Sequence, residues 1–257
     1  MAEIGVFDSG VGGISVLGTL TSVLPEESFY YIGDTAHAPY GTKPESEVLR
    51  YVRGVMARMA ERQVKAVVIA CNTATSVAAA TLRQELTLPI IGMEPALKPA
   101  SEHRHGGTIL VLATPVTLRL PKFQALMARY GEGALPLPCP GLMELVEQEA
   151  FDRAADYLRD RFAQIDLSRV DEVVLGCTHY VFLRPVLAGL LPPSVEVVDG
   201  NLGTARQLRR VLEARGLLAS GGKGRVILDT SGDPERVLPV MRRLALRAGV
   251  PASSIAE

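Results

Sequence analysis

Short apolar runs alternate with longer amphipathic stretches along the chain: IGVFD then GISVLGTLTSVL, FYYIGD then PESEVLRYVRGVMARMAER, KAVVIAC then NTATSVAAATLRQEL. Runs rich in Val and Ile predict strands buried on both faces, and the stretches between them carry the helical period, so each pair reads as a βα unit of a mostly parallel sheet. After LPIIGMEPALKPA the pattern restarts with GGTILVLAT, LRLPKFQALMARYG and ALPLPC, and continues through DEVVLGCTHY, VEVVDGN, TARQLRRVLEARG, GRVILD and PERVLPVMRRLALRAG. The restart near residue 98 and the echo of VVIACNTATS in VVLGCTHYVF predict two similar open α/β domains, each with a mostly parallel sheet, facing each other across an interdomain site.

In open α/β sheets, ligands bind beyond the carboxyl ends of the strands. The notable polar residues stand at such ends: Asp8 and Ser9, Asp34, then Cys71, Asn72 and Thr73 in the first half; Thr114, Thr117, then Cys177, Thr178 and His179, then Asp199 in the second. Cys71 and Cys177 share one local setting, an apolar run followed by a polar segment that predicts a helix start. A helix N-terminus lowers a thiol's pKa and makes it a base or nucleophile. Buried core thiols are the alternative, since free Cys is among the most buried residue types. Two bases on opposite faces of one carbon suit a distinctive reaction: one removes an α-proton and the other returns a proton from the far side, inverting the centre. Hydroxyls such as those of Ser9, Thr73 and Thr178, with backbone N–H groups, are suited to hold a carboxylate.

Composition narrows the partners. Hydrophobic residues at 47% and charged residues at 21% fit a soluble globular protein, and a net charge of −1 gives no electrostatic footprint for nucleic acid. No apolar run reaches membrane-spanning length, and the segment MAEIGVFDSG lacks the basic and apolar regions of a secretion signal, so a cytoplasmic location is expected. Three cysteines without a CxxC pair argue against a disulfide framework, and Cys139 reads as a small buried hydrophobe. His37, His103 and His105 fall in no cluster with zinc-ligand spacing, so no metal is expected. FDSGVGG has neither the P-loop ending nor the dinucleotide spacing, which removes a nucleotide site.

FDSGVGG at 7–13, GDTAHAPYGTK at 33–43, ACNTAT at 70–75, ATPVTL at 113–118, CPGLMELVE at 139–147 and GCTHY at 176–180, in this order, resemble the glutamate racemase family from Ile4 to about Asn201. The resemblance implies a cofactor-independent enzyme that interconverts L- and D-glutamate by two-cysteine proton transfer and supplies D-glutamate for peptidoglycan. It assigns Cys71 as the base for the D-enantiomer and Cys177 as the base for the L-enantiomer, with Asp8 assisting the first thiol and His179 the second. Glu147 rather than Glu144 matches the family's further acidic residue. Substrate contacts carry over to Asp8, Ser9, Tyr40, Gly41, Asn72, Thr73, Thr178 and His179, with Thr114 and Thr117 as further candidates. Leu120 stands where the family commonly has Ser. The resemblance also implies a homodimer and a discontinuous first domain, 1–97 plus 206–257, around a second at 98–205.

Three other readings remain open at the level of sequence. The same chemistry could act on aspartate or another small acid, although His179 stands where aspartate racemases commonly have Glu. A Cys-His hydrolase would use Cys177 alone and needs no second thiol. A non-catalytic amino-acid binding protein would bind its ligand without exchanging the α-proton.

Overall fold

The computed structural model describes residues 2–256, and the chain divides into two compact units. One contains residues up to Met93 together with those from Asn201 onward; the other is Glu94–Gly200. The joins lie four to five residues from the expected 97/98 and 205/206, for a packing reason. The helix α4 (Leu97–His103) and the preceding Ala96 belong to the second unit's apolar cluster, while α9 (Asn201–Ala214) packs from its first turns on α1 (Ile14–Val23) of the first.

The first unit holds a parallel sheet of β1 (Ile4–Asp8), β2 (Phe29–Gly33), β3 (Ala66–Ile69), β4 (Ile90–Gly92) and β9 (Val226–Thr230), in the order β4-β3-β1-β2-β9. Strands β1, β2 and β3 are buried along their whole length, which explains their unbroken apolar runs. The helix α2 (Glu45–Glu61) buries Val48, Val52, Val55, Met56 and Met59, a stripe at helical spacing. Together with Ala74, Ala78 and Leu82 of α3 (Asn72–Glu85), that stripe covers Phe7, Tyr30, Ile32, Val67 and Ile69 of the sheet. The helices α9 and α10 (Pro234–Arg247) both pack on α1.

The second unit repeats the plan with β5 (Thr108–Ala113), β6 (Ala134–Pro138), β7 (Val170–Leu175) and β8 (Glu196–Asp199), all parallel, in the order β6-β5-β7-β8. Pro136 and Pro138 are tolerated because β6 is an edge strand. The helix α4 with Phe123 of α5 (Pro121–Tyr130) buries Ile109, Val111 and Val174. The helices α6 (Leu142–Glu147), α7 (Phe151–Phe162) and α8 (Arg184–Leu190) make a second group, α7 packing against both of the others.

In both units the first strand pairs with the second on one side and the third on the other. Chain direction through the sheet therefore reverses beside the first strand, and the crevice at that reversal is where open α/β sheets bind ligands. In the first unit it lies between β1 and β3; in the second, between β5 and β7.

Candidate active site

In the first unit, the crevice is bordered by the ends of β1 and β3. Asp8 is the last residue of β1, is 1% exposed, and accepts the Gly10 backbone N–H at 2.7 Å. Beyond β3, Cys71 takes the N-cap position of α3 in extended backbone geometry, and its Sγ accepts the Ala74 N–H at 3.4 Å. Ser9 Oγ lies 3.4 Å from the same sulfur. Burial first, and the Asp8 charge second, push the Cys71 thiol up to about 12, while the bonds from Ala74 and Ser9 act in the opposite direction. The resting group is thus a protonated thiol beside a carboxylate. Asn72 and Thr73, half-buried, form the first turn of α3, where backbone N–H groups have no intrahelical acceptor.

Asp34 follows β2 and is buried. Its carboxylate accepts the Tyr40 hydroxyl and the Ser231 hydroxyl, each at 2.5 Å, and lies 2.9 Å from His37 Nδ1. This hub fixes the His37–Gly41 segment to the residues that follow β9. Burial and the Asp34 bond hold the Tyr40 hydroxyl far above its ordinary pKa, so it remains a donor. The Tyr40 side chain is occupied by Asp34, and half-buried Gly41 beside it presents backbone alone.

In the second unit, β7 ends at Leu175 and is followed by Gly176 and Cys177. A Cβ on Gly176 would stand 2.9 Å from Ala113 Cβ and 3.0 Å from Leu112 O, so only glycine lets the chain pass this close to β5. The helix expected directly after Cys177 is instead a 3-10 segment, Thr178–Leu183, and α8 starts at Arg184 with Pro185 in its first turn. Proline's missing N–H costs nothing there, which sets the α-helical start. Cys177 Sγ lies 3.7 Å from His179 Nδ1, and His179 Nε2 lies 3.0 Å from Glu147 Oε1. Cys177 and His179 are buried, while Glu147 at the end of α6 is partly open to solvent. Burial alone would lower the His179 pKa; its hydrogen bonds and charge interactions with Cys177 and Glu147 outweigh that and raise it well above the ordinary imidazole value. A thiol, an imidazole and a carboxylate therefore form a chain able to carry a proton. Of the two glutamates in this helix, Glu147 makes the contact and Glu144 is exposed.

Thr178 is buried beside Cys177. Past the end of β5, Thr114 Oγ1 lies 2.9 Å from Thr117 Oγ1 and accepts the Thr117 N–H. Leu120 takes the N-cap position of α5 without a side-chain bond, so the capping that a serine could supply is missing there. Cys139 is 1% exposed, and burial pushes its thiol up to about 12. Asp199 pairs with Arg184, and Asn201 Nδ2 donates to Ser15 Oγ at 3.4 Å. Among the described residues no group of three or more His, Cys, Asp or Glu side chains could hold a metal ion, and no helix is long and apolar enough to cross a membrane.

Asp34 stands at a strand end, where the sequence already points to ligand-facing polar residues; its partner Ser231 carries no such signal, because it lies 197 residues away in the chain.

A model of the Asp/Glu/Hydantoin racemase family matches residues 16–208. The glutamate racemase of Bifidobacterium animalis subsp. lactis is 48% identical over 254 residues, covering 96% of this chain and 98% of that protein. Among solved structures, the glutamate racemase of Thermus thermophilus, in complex with β-chloro-D-alanine, superposes with a TM-score of 0.80 at 36% identity, covering 100% of this chain and 96% of that one. The Escherichia coli glutamate racemase, in complex with L-glutamate and the activator UDP-MurNAc-Ala, gives 0.82 at 30% identity over 95% and 96% of the two chains. With the family model spanning most of its length and relatives matching it nearly end to end, the chain belongs to the Asp/Glu/Hydantoin racemase family and is an amino-acid racemase of the glutamate racemase branch.

Proposed function

We propose that this racemase interconverts L- and D-glutamate without a cofactor, with Cys71 and Cys177 acting on opposite faces of the α-carbon. One observation carries the reading. Each unit places a cysteine just beyond the strand that borders its sheet's reversal point, and gives that cysteine its own proton-handling neighbours: Asp8 and Ser9 for one, His179 and Glu147 for the other. Paired core thiols would need neither set.

In the L to D direction, Cys177 removes the α-proton while His179, held by Glu147, manages the charge on the sulfur. Cys71 delivers its proton to the other face. The resting Cys71 thiol is suited to that delivery, since burial and Asp8 keep it protonated. In the D to L direction the roles reverse, and the substrate ammonium group offsets the burial and Asp8 effects that hold the Cys71 proton. Ser9, Asn72 and Thr73, the backbone of Tyr40 and Gly41, and Thr114, Thr117 and Thr178 are the proposed substrate contacts, with the α3 N-terminus favouring a carboxylate. The complex of the Escherichia coli relative with L-glutamate supports this choice of substrate. Supply of D-glutamate for peptidoglycan, a cytoplasmic location and a homodimer complete the proposal; twofold dimers are the commonest soluble oligomers.

The test is a set of single Cys→Ser variants assayed for glutamate racemisation. Cys71→Ser and Cys177→Ser lose turnover by about a thousandfold or more, as expected when a reacting group is removed, and Cys139→Ser retains it. Full turnover in either of the first two ends the two-thiol mechanism.

A further inference from the structure

We infer that Tyr180 is a positioning residue for the Cys177 half of the reaction, through a hydroxyl that ties the loop bearing the thiol to the helix bearing Glu147. The inference rests on the two-thiol reading.

Tyr180 directly follows His179 and is 0% exposed. Its backbone N–H donates to the Cys177 carbonyl at 3.1 Å, and its hydroxyl donates to the Cys139 carbonyl at 3.0 Å. Cys139 follows the last residue of β6 and extends its pairing, its own N–H donating to Ala113 O at 2.9 Å. After it the chain turns through Gly141, at φ +81°, and α6 carries six residues to Glu147. One side chain therefore connects the start of the short helix that ends in the carboxylate with the loop that holds thiol and imidazole.

The tie meets a specific need. A six-residue helix has little stability of its own, yet it must hold Glu147 at 3.0 Å from His179. The Cys139 carbonyl also receives the Leu142 N–H, at a long 3.5 Å, which makes the Tyr180 hydroxyl the shorter of these two contacts. A second brace stands one residue earlier, where Arg161 of α7 donates to the Pro138 carbonyl at 2.6 Å. Burial first, and the neighbouring thiols next, keep the Tyr180 hydroxyl far above its ordinary pKa, so it remains a donor throughout the working range.

Tyr180→Phe removes the tie and keeps the ring. Enantiomers have equal free energy, so kcat/KM falls equally in both directions and rate alone cannot say which face was disturbed. Isotope effects can. Raising the barrier of the step that involves Cys177 makes removal of the α-proton from L-glutamate more rate-limiting and its removal from D-glutamate less so. We expect kcat to fall about tenfold with KM little changed, as for one lost buried hydrogen bond. The isotope effect from α-deuterated L-glutamate should rise, and that from α-deuterated D-glutamate should fall. These ratios do not depend on how much of the sample is folded. Tyr180→Leu should add a loss of thermal stability without enlarging the isotope asymmetry. Unchanged kcat in Tyr180→Phe, or a fall with both isotope effects unmoved, overturns the inference. Cys177→Ser in the same assay separates the failures: if it is inactive, only the role of Tyr180 has failed, and if it is active, the two-thiol reading and this inference fall together.

Discussion

Replacing Gly13 with alanine tests the proposed roles of Asp8 and Cys71 through one added carbon. Gly13 has φ −61° and ψ −10°, ordinary right-handed backbone, so alanine meets no conformational strain there. What it lacks is space. The new Cβ would stand 2.7 Å from Asp8 Cβ and 2.9 Å from Ala70 Cβ. Carbon contacts are comfortable at about 3.5–4.0 Å, so these neighbours must retreat by roughly 0.6–1.3 Å. Neither is the free end of a flexible side chain: Asp8 closes β1, and Ala70 immediately precedes Cys71. Overpacking of this kind costs about 1–3 kcal/mol, which lowers Tm by about 2–4 °C per kcal/mol in a chain of this size. The catalytic cost is larger in proportion, because misplacing a reacting group by about 1 Å can cost about 100-fold in rate. The expected variant is folded, melts about 5 °C below wild type, and racemises glutamate at about a tenth to a hundredth of the wild-type kcat. Circular dichroism melting and polarimetry read the two quantities separately. Wild-type turnover in Gly13→Ala would refute the claim that the packing of Asp8 against the Cys71 strand end sets the rate.

Gly54, exposed in the interior of α2, is the opposite case: an added Cβ meets nothing within 4 Å, so Gly54→Ala should stabilise by about 0.5–1 kcal/mol through helix propensity, seen as a higher Tm with unchanged kcat. Glu172 in β7 is 2% exposed, its Oε2 has no hydrogen-bond partner among the described residues, and its carboxyl pKa is raised, by burial first and by Glu196 and Asp171 next, against the lowering effect of His103 and His105. A raised folded pKa means that its stabilising contribution is full below the ordinary carboxyl value of about 4.3 and is lost as pH rises through the folded value. Glu172→Gln should therefore remove that loss, melting above wild type near neutral pH and converging with it in acid, and Tm measured against pH would contradict this if the gap were constant or reversed.

The sequence showed the strands and helices through their two periods, and showed both thiols because each interrupts an apolar run at its carboxyl end. The order of the strands was beyond that reading, since the pairing of β9 with β2 joins segments about two hundred residues apart and leaves no local mark. The same holds for Ser231 on Asp34 and for the Tyr180 hydroxyl on Cys139, which depend on where a side chain points once the sheet has formed. The 3-10 segment after Cys177 was missed for a different reason: THYVFL has an ordinary helical pattern, and Pro185 decides where the α-helix begins. Glu172 follows Asp171 at the start of β7, where two adjacent charged letters read as the solvent-facing end of a strand although the Glu172 side chain is buried.

The central claim is that two different groups serve the two faces of one carbon, and hydrogen bookkeeping in heavy water tests it most directly. L- and D-glutamate, in separate reactions, are each stopped at low conversion, and deuterium at the α-carbon is measured in the product and in the recovered substrate. Two bases predict that product from either enantiomer carries solvent deuterium, because the proton removed by one thiol is never the one delivered by the other, while recovered substrate keeps its original hydrogen. Product that retains the substrate's own hydrogen, or equal deuterium in both pools from the earliest times, would mean that a single base serves both faces and would contradict the account.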